Sequence, residues 1–199
     1  ARWGVGAFRR FFERIVGQCV EAGLVDGSKL FVDASLIQAD ASNNSVIDRQ
    51  KLQEELDRGY PRLEERLDEV QGQPKSRPAN ARFVSTTDPD ASVIRQGVGQ
   101  PKLRYKTHRA VDPQQEVITA TMVTSGATDE GAVLEEVLSS HEQNTERKVE
   151  TAVADSRYGT MENYLLCHDA GIRAHIPSLE GSQEGSGRRE DIFPKEAFR

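Results

Sequence analysis

Two aspartates lie within or directly after apolar segments, and together they could perform metal-dependent chemistry. Asp33 interrupts KLFVDASLIQADAS, whose apolar run predicts a strand buried on both faces, and Asp155 closes the apolar segment VETAVAD. A carboxylate is costly to bury unless it is paired or bound to a metal. Two converging carboxylates can bind divalent ions such as Mg²⁺, which activate an oxygen nucleophile and neutralise the leaving oxygen of a phosphodiester. Asp33 and Asp155 are therefore the candidate catalytic and metal-binding residues.

Each acidic residue, taken alone, also has an ordinary structural interpretation. Asp33 could lie at a strand bend, paired to an arginine or capping backbone amides, and Asp155 precedes a common kind of loop sequence. Asp112 is better explained by a hairpin turn, and Asp129 by the start of a helix. His108 has the pattern of a packed or hydrogen-bonded histidine rather than of a general base. The arrangement of the surrounding elements must distinguish these interpretations.

The order of the predicted elements favours a meeting of the two aspartates. An amphipathic helix precedes the Asp33 strand, and an inserted segment is followed by a β-hairpin, a helix, the Asp155 strand, a helix and a short strand. This order predicts an α/β fold of the ribonuclease H-like type, a mixed sheet flanked by helices whose first and fourth strands are neighbours. Sites form at the carboxyl ends of strands in such sheets. The predicted parts are the end of an N-terminal helical region (1–28), the catalytic core (29–44 and 100–199, C-terminally incomplete) and a helical-hairpin insertion with its linker (45–99).

The charge distribution leaves room for local binding of nucleic acid. A formal net charge of −6 argues against a protein that coats nucleic acid over its whole surface, but the field of a local patch matters more than the sum. The segment RQGVGQPKLRYKTHR contains several basic residues and no acid. An alternative interpretation is a solvated strand edge protected by its charges. The candidate DNA-binding residues in this segment are Lys102, Arg104, Lys106 and Arg109.

The remaining composition predicts a cytoplasmic protein with no membrane partner. No apolar run approaches the roughly 20 residues that a membrane-spanning helix needs. Cys19 and Cys167 have no second cysteine or histidine at ligand spacing, which indicates reduced thiols. The chain opens on Ala1 rather than Met, and its last segment closes without a terminal helix, so we expect a fragment.

Three segments resemble the core blocks of bacterial insertion-sequence transposases of the DDE type. The resemblance implies a ribonuclease H-like catalytic domain in which Asp33 and Asp155 are the first two catalytic acids and Mg²⁺ or Mn²⁺ is the cofactor. It further implies double-stranded DNA as the partner, at the ends of the mobile element and at the target, and a homodimer. Arg157, next to the position where the family has a basic residue in the block that contains Asp155, is a further candidate DNA-binding residue. The three segments are VDASLIQADAS, YKTHRAVDPQQEVITATMVTSGATD and VADSRYGTMENYLLCHDAGIRAHIP.

The chain departs from the family pattern in three places. Ala34 and Ser35 stand where Gly-Thr is common, and the basic residue of the second block is displaced by one position, with loss of a glycine. The third family acid is a glutamate on a helix after the last core strand, and the Gly/Ser-rich segment SLEGSQEGSGRRED does not predict such a helix. We therefore predict that this chain alone is catalytically silent.

Two alternative functions remain open at this point. A ribonuclease H-like nuclease or Holliday-junction resolvase would need a complete acidic cluster within the chain, which a helical Glu190 or Glu196 near Asp33 would supply. A non-catalytic DNA-binding remnant of a transposase would bind duplex DNA in a salt-dependent manner without needing a metal. The dependence on metal therefore distinguishes these functions.

Overall fold

The computed structural model describes residues 4–48 and 83–178. Within these ranges the chain divides into two compact units. The first unit comprises residues 4–33, 109–121 and 129–178, and the second comprises residues 34–48, 83–108 and 122–128.

The described residues form three α-helices and eight strands. The helices are α1 (Val5–Glu21), α2 (Leu134–Thr145) and α3 (Met161–Asp169). The strands are β1 (Lys29–Gln38), β2 (Val46–Asp48), β3 (Phe83–Ser85), β4 (Ser92–Ile94), β5 (Lys102–Asp112), β6 (Val117–Ser125), β7 (Thr151–Ala154) and β8 (Arg173–His175). Short 3-10 helices span Asn43–Ser45, Glu130–Val133 and Ser156–Tyr158.

Six of the strands form one mixed sheet in the order β4-β5-β1-β7-β8, with β6 paired to β5. Strand β7 runs parallel to both β1 and β8, whereas β4 runs antiparallel to β5. The four-residue turn between β5 and β6 makes these two strands a hairpin. The predicted mixed α/β fold, the hairpin and the pairing of the Asp33 and Asp155 strands are therefore confirmed.

The three helices belong to the first unit and bury apolar side chains where they pack against one another and against β8. Helix α2 packs against α1 and α3, and α3 packs against β8. Val16 of α1 and Leu134 and Val137 of α2 are fully buried, as expected for one apolar face of an amphipathic helix. None of the helices in the described ranges combines the length and apolar character needed to cross a membrane.

Strand β1 has one buried face and one open face. Leu30 and Val32 are buried, whereas Phe31 is 42% exposed and Asp33 is exposed. The prediction of a strand buried on both faces is therefore wrong, because the apolar run hides the alternation that the strand imposes on its side chains. Asp33 lies on the open face, so its carboxylate is in contact with solvent.

The predicted insertion is described only at its ends. The proposed helical hairpin, with its leucines from Leu52 to Leu67, lies outside the described residues. The described ends contain strands that the sequence did not predict: β2 and β3 pair antiparallel with Val46 opposite Ser85, and β4 joins the large sheet. Strands of three residues carry too little alternation for a sequence pattern to detect.

Asp112 has the structural role that its sequence position predicted. One of its carboxylate oxygens accepts a hydrogen bond from the Gln114 backbone N–H at 2.9 Å, within the hairpin turn. The other accepts from the Gly27 backbone N–H at 2.7 Å, just before β1. Asp112 is fully buried, and its two bonds fix the hairpin turn to the start of β1.

His108 is a packed histidine, as the sequence indicated. It is completely buried in the second unit, and its Nε2 lies 2.9 Å from the Thr124 hydroxyl. Burial and, to a smaller extent, the positive charge of Lys106 together lower the pKa of His108 from 6.5 to about 4. The imidazole is therefore neutral at physiological pH.

The low pKa of His108 predicts a pH dependence of folding stability. An unfolded chain protonates His108 near pH 6.5, whereas the folded protein does so only near pH 4. The stabilisation is therefore complete above pH 6.5, and about 3 kcal/mol of it is lost as the pH falls to 4. We expect His108→Gln to flatten the unfolding free energy, measured with urea, over this pH range. Burial also lowers the pKa of His141, so the unfolding free energy of both the wild type and His108→Gln should keep some dependence on pH. Equal dependence on pH in the two proteins would contradict the assignment to His108.

Candidate active site

The pairing of β1 with β7 brings the two predicted aspartates together. The parallel register runs from Lys29 opposite Thr151 to Val32 opposite Ala154. Asp33 and Asp155 are the next residue on each chain, so they occupy neighbouring positions where β7 ends. Neighbouring strands lie about 4.8 Å apart, and residues at matching positions point to the same face of a sheet.

Burial fixes this register and the face on which the aspartates lie. Leu30 and Val32 of β1, like Ala152 and Ala154 of β7, are buried on one face of the pair. A shift of β7 by one residue would turn Ala152 and Ala154 to the open face, so the register is strongly specified. Both Asp33 and Asp155 are exposed. The site is therefore an open pair of carboxylates on a firmly packed pair of strands.

A tight turn holds Asp155 at the end of β7. Its Oδ1 accepts a hydrogen bond from the Arg157 backbone N–H at 2.9 Å, which caps the 3-10 helix Ser156–Tyr158. The helix ends at Gly159, where a Cβ atom would lie only 2.2 Å from the Pro177 carbonyl oxygen. The loop interpretation of Asp155 is therefore correct for one of its oxygens, whereas no residue in the described ranges bonds to Oδ2.

A further acidic residue, Glu130, contacts this turn. It is the first residue of the 3-10 helix Glu130–Val133, which precedes α2. Its side chain is only 8% exposed, and its Oε1 lies 3.2 Å from the Arg157 Nη1, whereas Arg157 itself is 63% exposed. The Asn163 amide donates to the carbonyls of Gly131 and Tyr158, at 2.9 and 2.8 Å. The turn that carries Asp155 is thus fixed to the 3-10 helix Glu130–Val133 by an ion pair and by two hydrogen bonds from one side chain.

Tyr158 is the last residue of the 3-10 helix that Asp155 caps. It is fully buried, and within the described part of the chain its hydroxyl has no hydrogen-bond partner. Burial raises the pKa of Tyr158 far above its usual value, and the negative charges of Glu130, Asp33 and Asp155 raise it further, in that order of effect. The phenol therefore stays protonated, in the electrostatic field of three carboxylates.

The donor set at this site suits a hard divalent cation held by two carboxylates. No hydrogen bond or ion pair among the described residues engages the Asp33 carboxylate, and Asp155 retains one oxygen. Within the same ranges, no group of three or more His, Cys, Asp or Glu side chains is placed to hold a metal ion. Mg²⁺ is usually bound by one or two carboxylates together with waters and substrate phosphates, so Asp33 and Asp155 fit that ion.

The predicted basic residues of β5 have different surroundings. Lys102 is exposed and its ammonium donates to the Gln38 side chain, whereas Lys106 is buried and donates to the Thr128 carbonyl at 2.8 Å. Arg104 and Arg109 are half-buried. Because β5 has strands on both sides, the alternative interpretation of a solvated strand edge is wrong. Lys102, Arg104 and Lys106 belong to the second unit, and Arg109 and Arg157 to the first.

Two residues of the site were not predicted from the sequence. Glu130 carries the signal of a helix N-terminus, where an acid needs no other explanation; its burial beside Arg157 depends on a contact between segments 27 residues apart. Tyr158 lies in the segment VADSRYGTMENYLLCHDAGIRAHIP, three residues after Asp155. That short spacing is the signal in the sequence that could have identified it as a residue of the site. The other glutamates considered as a third acid, including Glu190 and Glu196, lie outside the described residues.

No family model, curated protein or solved structure matches the chain. Assignment of a function therefore depends on the sequence resemblance and on the geometry of the site.

Proposed function

We propose that this chain is the catalytic core of a DDE-type transposase with a ribonuclease H-like fold. The observation that carries the proposal is the register of β1 and β7, which makes Asp33 and Asp155 neighbours on one open face. The strand order supports it, because a hairpin next to β1, followed by parallel β7 and β8 on the other side, is the order of a ribonuclease H-like sheet. The activity proposed is metal-dependent hydrolysis of phosphodiesters and strand transfer at the ends of a mobile element.

Each residue has a distinct role in the proposed reaction. Asp33 and Asp155 would provide the carboxylate oxygens that hold Mg²⁺ or Mn²⁺, and the metal would supply activation of the nucleophile and neutralisation of the leaving oxygen. The hydrogen bond from the Arg157 backbone N–H and the ion pair between Arg157 and Glu130 hold Asp155 at a fixed place beside Asp33. A rigid pair of ligands matters because small displacements of catalytic groups have large effects on rate.

Arg157, which lies in the same turn as Asp155, is the residue that we propose to contact a DNA phosphate. Its guanidinium has five N–H donors and is largely exposed, and Glu130 engages one of its terminal nitrogens. The proposed partner is double-stranded DNA at the element ends and at the target, bound by a homodimer. A cytoplasmic location agrees with Cys19 and Cys167, which are both free thiols.

Duplex binding with and without Mn²⁺ tests the proposed function. We expect a fluorescein-labelled DNA duplex to bind in a salt-dependent manner, more tightly with Mn²⁺ than with EDTA, and Asp33→Asn to remove the gain from Mn²⁺. Arg157→Ala should lower the slope of log affinity against log salt by about 0.9, the value for one phosphate contact. The matched control is Arg14→Ala, an exposed arginine of α1, which should leave the slope unchanged.

The outcome distinguishes the proposed function from its alternatives. Duplex binding that is indifferent to Mn²⁺ and to Asp33→Asn would contradict the transposase proposal and support a non-catalytic DNA-binding remnant. Cleavage of the duplex by this chain alone, abolished by Asp33→Asn, would contradict the predicted catalytic silence and support a self-sufficient nuclease. We expect metal-dependent binding without cleavage.

A further inference from the structure

The hydroxyl of Tyr158 is a buried polar group that no hydrogen bond in the described part of the chain satisfies. The side chain is fully buried, and its hydroxyl has no hydrogen-bond partner among the residues that the structure describes. Buried tyrosine hydroxyls normally find a partner, and one left without a partner lowers stability. Tyr164, on α3 of the same unit, follows the usual pattern, because its hydroxyl donates to the Ile176 carbonyl at 3.0 Å.

The position of Tyr158 indicates which acceptor its hydroxyl could serve. Tyr158 is the last residue of the 3-10 helix that Asp155 caps, and Asp33 occupies the neighbouring position on β1. Glu130, Asp33 and Asp155 act on the phenol with effects that decrease in that order. Glu130 is already paired with Arg157, and one oxygen of Asp155 is occupied by the Arg157 backbone. Asp33 is the one of the three carboxylates that no described residue engages by a hydrogen bond or an ion pair.

We propose that Tyr158 is a positioning residue of the acidic site, and that its hydroxyl donates a hydrogen bond to the Asp33 carboxylate when a divalent cation is bound by Asp33 and Asp155. The inference rests on the proposed function. Two neighbouring carboxylates repel each other, whereas a shared cation draws both towards itself and fixes their orientation. A donor that reaches a metal-binding carboxylate from behind holds it in the binding orientation, and loss of such a partner typically weakens metal binding 10- to 100-fold.

A pair of matched tyrosine variants tests this role. Tyr158→Phe removes only the unpartnered hydroxyl, so we expect it to raise the melting temperature measured in EDTA and to weaken Mn²⁺ binding, measured by calorimetry, about tenfold. Tyr164→Phe removes a hydroxyl that has a partner, so we expect a lower melting temperature and unchanged Mn²⁺ affinity. A purely structural role for Tyr158 predicts no change in Mn²⁺ affinity, and that result would overturn the inference.

Asp33→Asn separates failure of this inference from failure of the proposed function. If Asp33→Asn abolishes Mn²⁺ binding while Tyr158→Phe binds Mn²⁺ like the wild type, the inference is wrong and the metal site stands. If Asp33→Asn also binds like the wild type, the proposed site is wrong, and the inference is wrong with it. A second measurement does not depend on the folding of Tyr158→Phe: Mn²⁺ should change the tyrosine ultraviolet spectrum of the Tyr164→Phe protein but not that of Asp33→Asn. Absence of this change in Tyr164→Phe would overturn the inference.

Discussion

Replacement of Asp33 or Asp155 by asparagine should weaken Mn²⁺ binding more than about 100-fold in each case. Loss of an outer partner of a metal ligand already costs 10- to 100-fold in affinity, and each substitution removes one of only two carboxylates at the site. The fold should survive both changes, because Asp33 is exposed and an asparagine at position 155 keeps an oxygen that can accept from the Arg157 backbone. Isothermal calorimetry with Mn²⁺ measures the effect, and thermal unfolding verifies the fold.

Asp169→Asn is the matched control for these two substitutions. Asp169 ends α3, in the same unit, and is 79% exposed; its carboxylate pairs only with the equally exposed His168 among the described residues. The substitution removes the same charge from the same unit, so it should change Mn²⁺ affinity less than about threefold, as expected for an exposed charge screened by solvent. An Asp33 or Asp155 variant that behaves like Asp169→Asn would contradict the two-carboxylate site.

Gly159→Ala should destabilise the protein by about 3 kcal/mol, the upper end of the usual cost of overpacking. The added Cβ would lie 2.2 Å from the Pro177 carbonyl oxygen and 3.1 Å from that of Ser156. Both atoms belong to the backbone, so they cannot move aside as a flexible side chain would. Because Gly159 has a φ of −78°, the cost arises from the steric clash and not from backbone strain. Urea unfolding at neutral pH measures the change in free energy.

Gly17→Ala is the control for a glycine with room around it. Gly17 lies in the middle of α1, and a Cβ atom there would meet no atom within 4 Å. Alanine is the better helix former, so this substitution should stabilise the protein by about 0.5–1 kcal/mol. Opposite signs for the two glycine substitutions are the expected result. A neutral Gly159→Ala would mean that the turn carrying Asp155 is loose, which would weaken the case for a fixed pair of carboxylates.

The parts of the fold that depend on local sequence pattern could be predicted. The apolar runs of β1 and β7, the alternation and turn of the β5–β6 hairpin, and the helical spacing of α1 and α3 each identify an element within a single window. The neighbourhood of Asp33 and Asp155 could also be inferred, because the order of elements restricts how strands connect in an α/β sheet. The exposed face of β1 was missed because Phe31, an apolar residue, occupies it.

The contacts that complete the site join segments that are distant in sequence. Glu130 and Arg157 form their ion pair across 27 residues, and no local pattern distinguishes a buried glutamate from one at a helix start. The electrostatic environment of the Tyr158 hydroxyl depends on Glu130, Asp33 and Asp155, which lie on three different segments. The start of α2 shows the same limitation. Residues expected in the first helical turn form the 3-10 helix Glu130–Val133. Within it, a Cβ atom on Gly131 would lie 3.1 Å from the Arg157 carbonyl oxygen, a contact that no local pattern indicates.

A crystal of this chain grown or soaked with Mn²⁺ would show directly whether Asp33 and Asp155 form a divalent-cation site. The measurement is the anomalous difference density at the manganese absorption edge. A two-carboxylate site predicts a peak in contact with carboxylate oxygens of both aspartates, at the end of β7 and on the open face of β1. A peak that contacts neither aspartate, or density showing Asp33 and Asp155 in separate ion pairs with neighbouring cationic side chains, would contradict it.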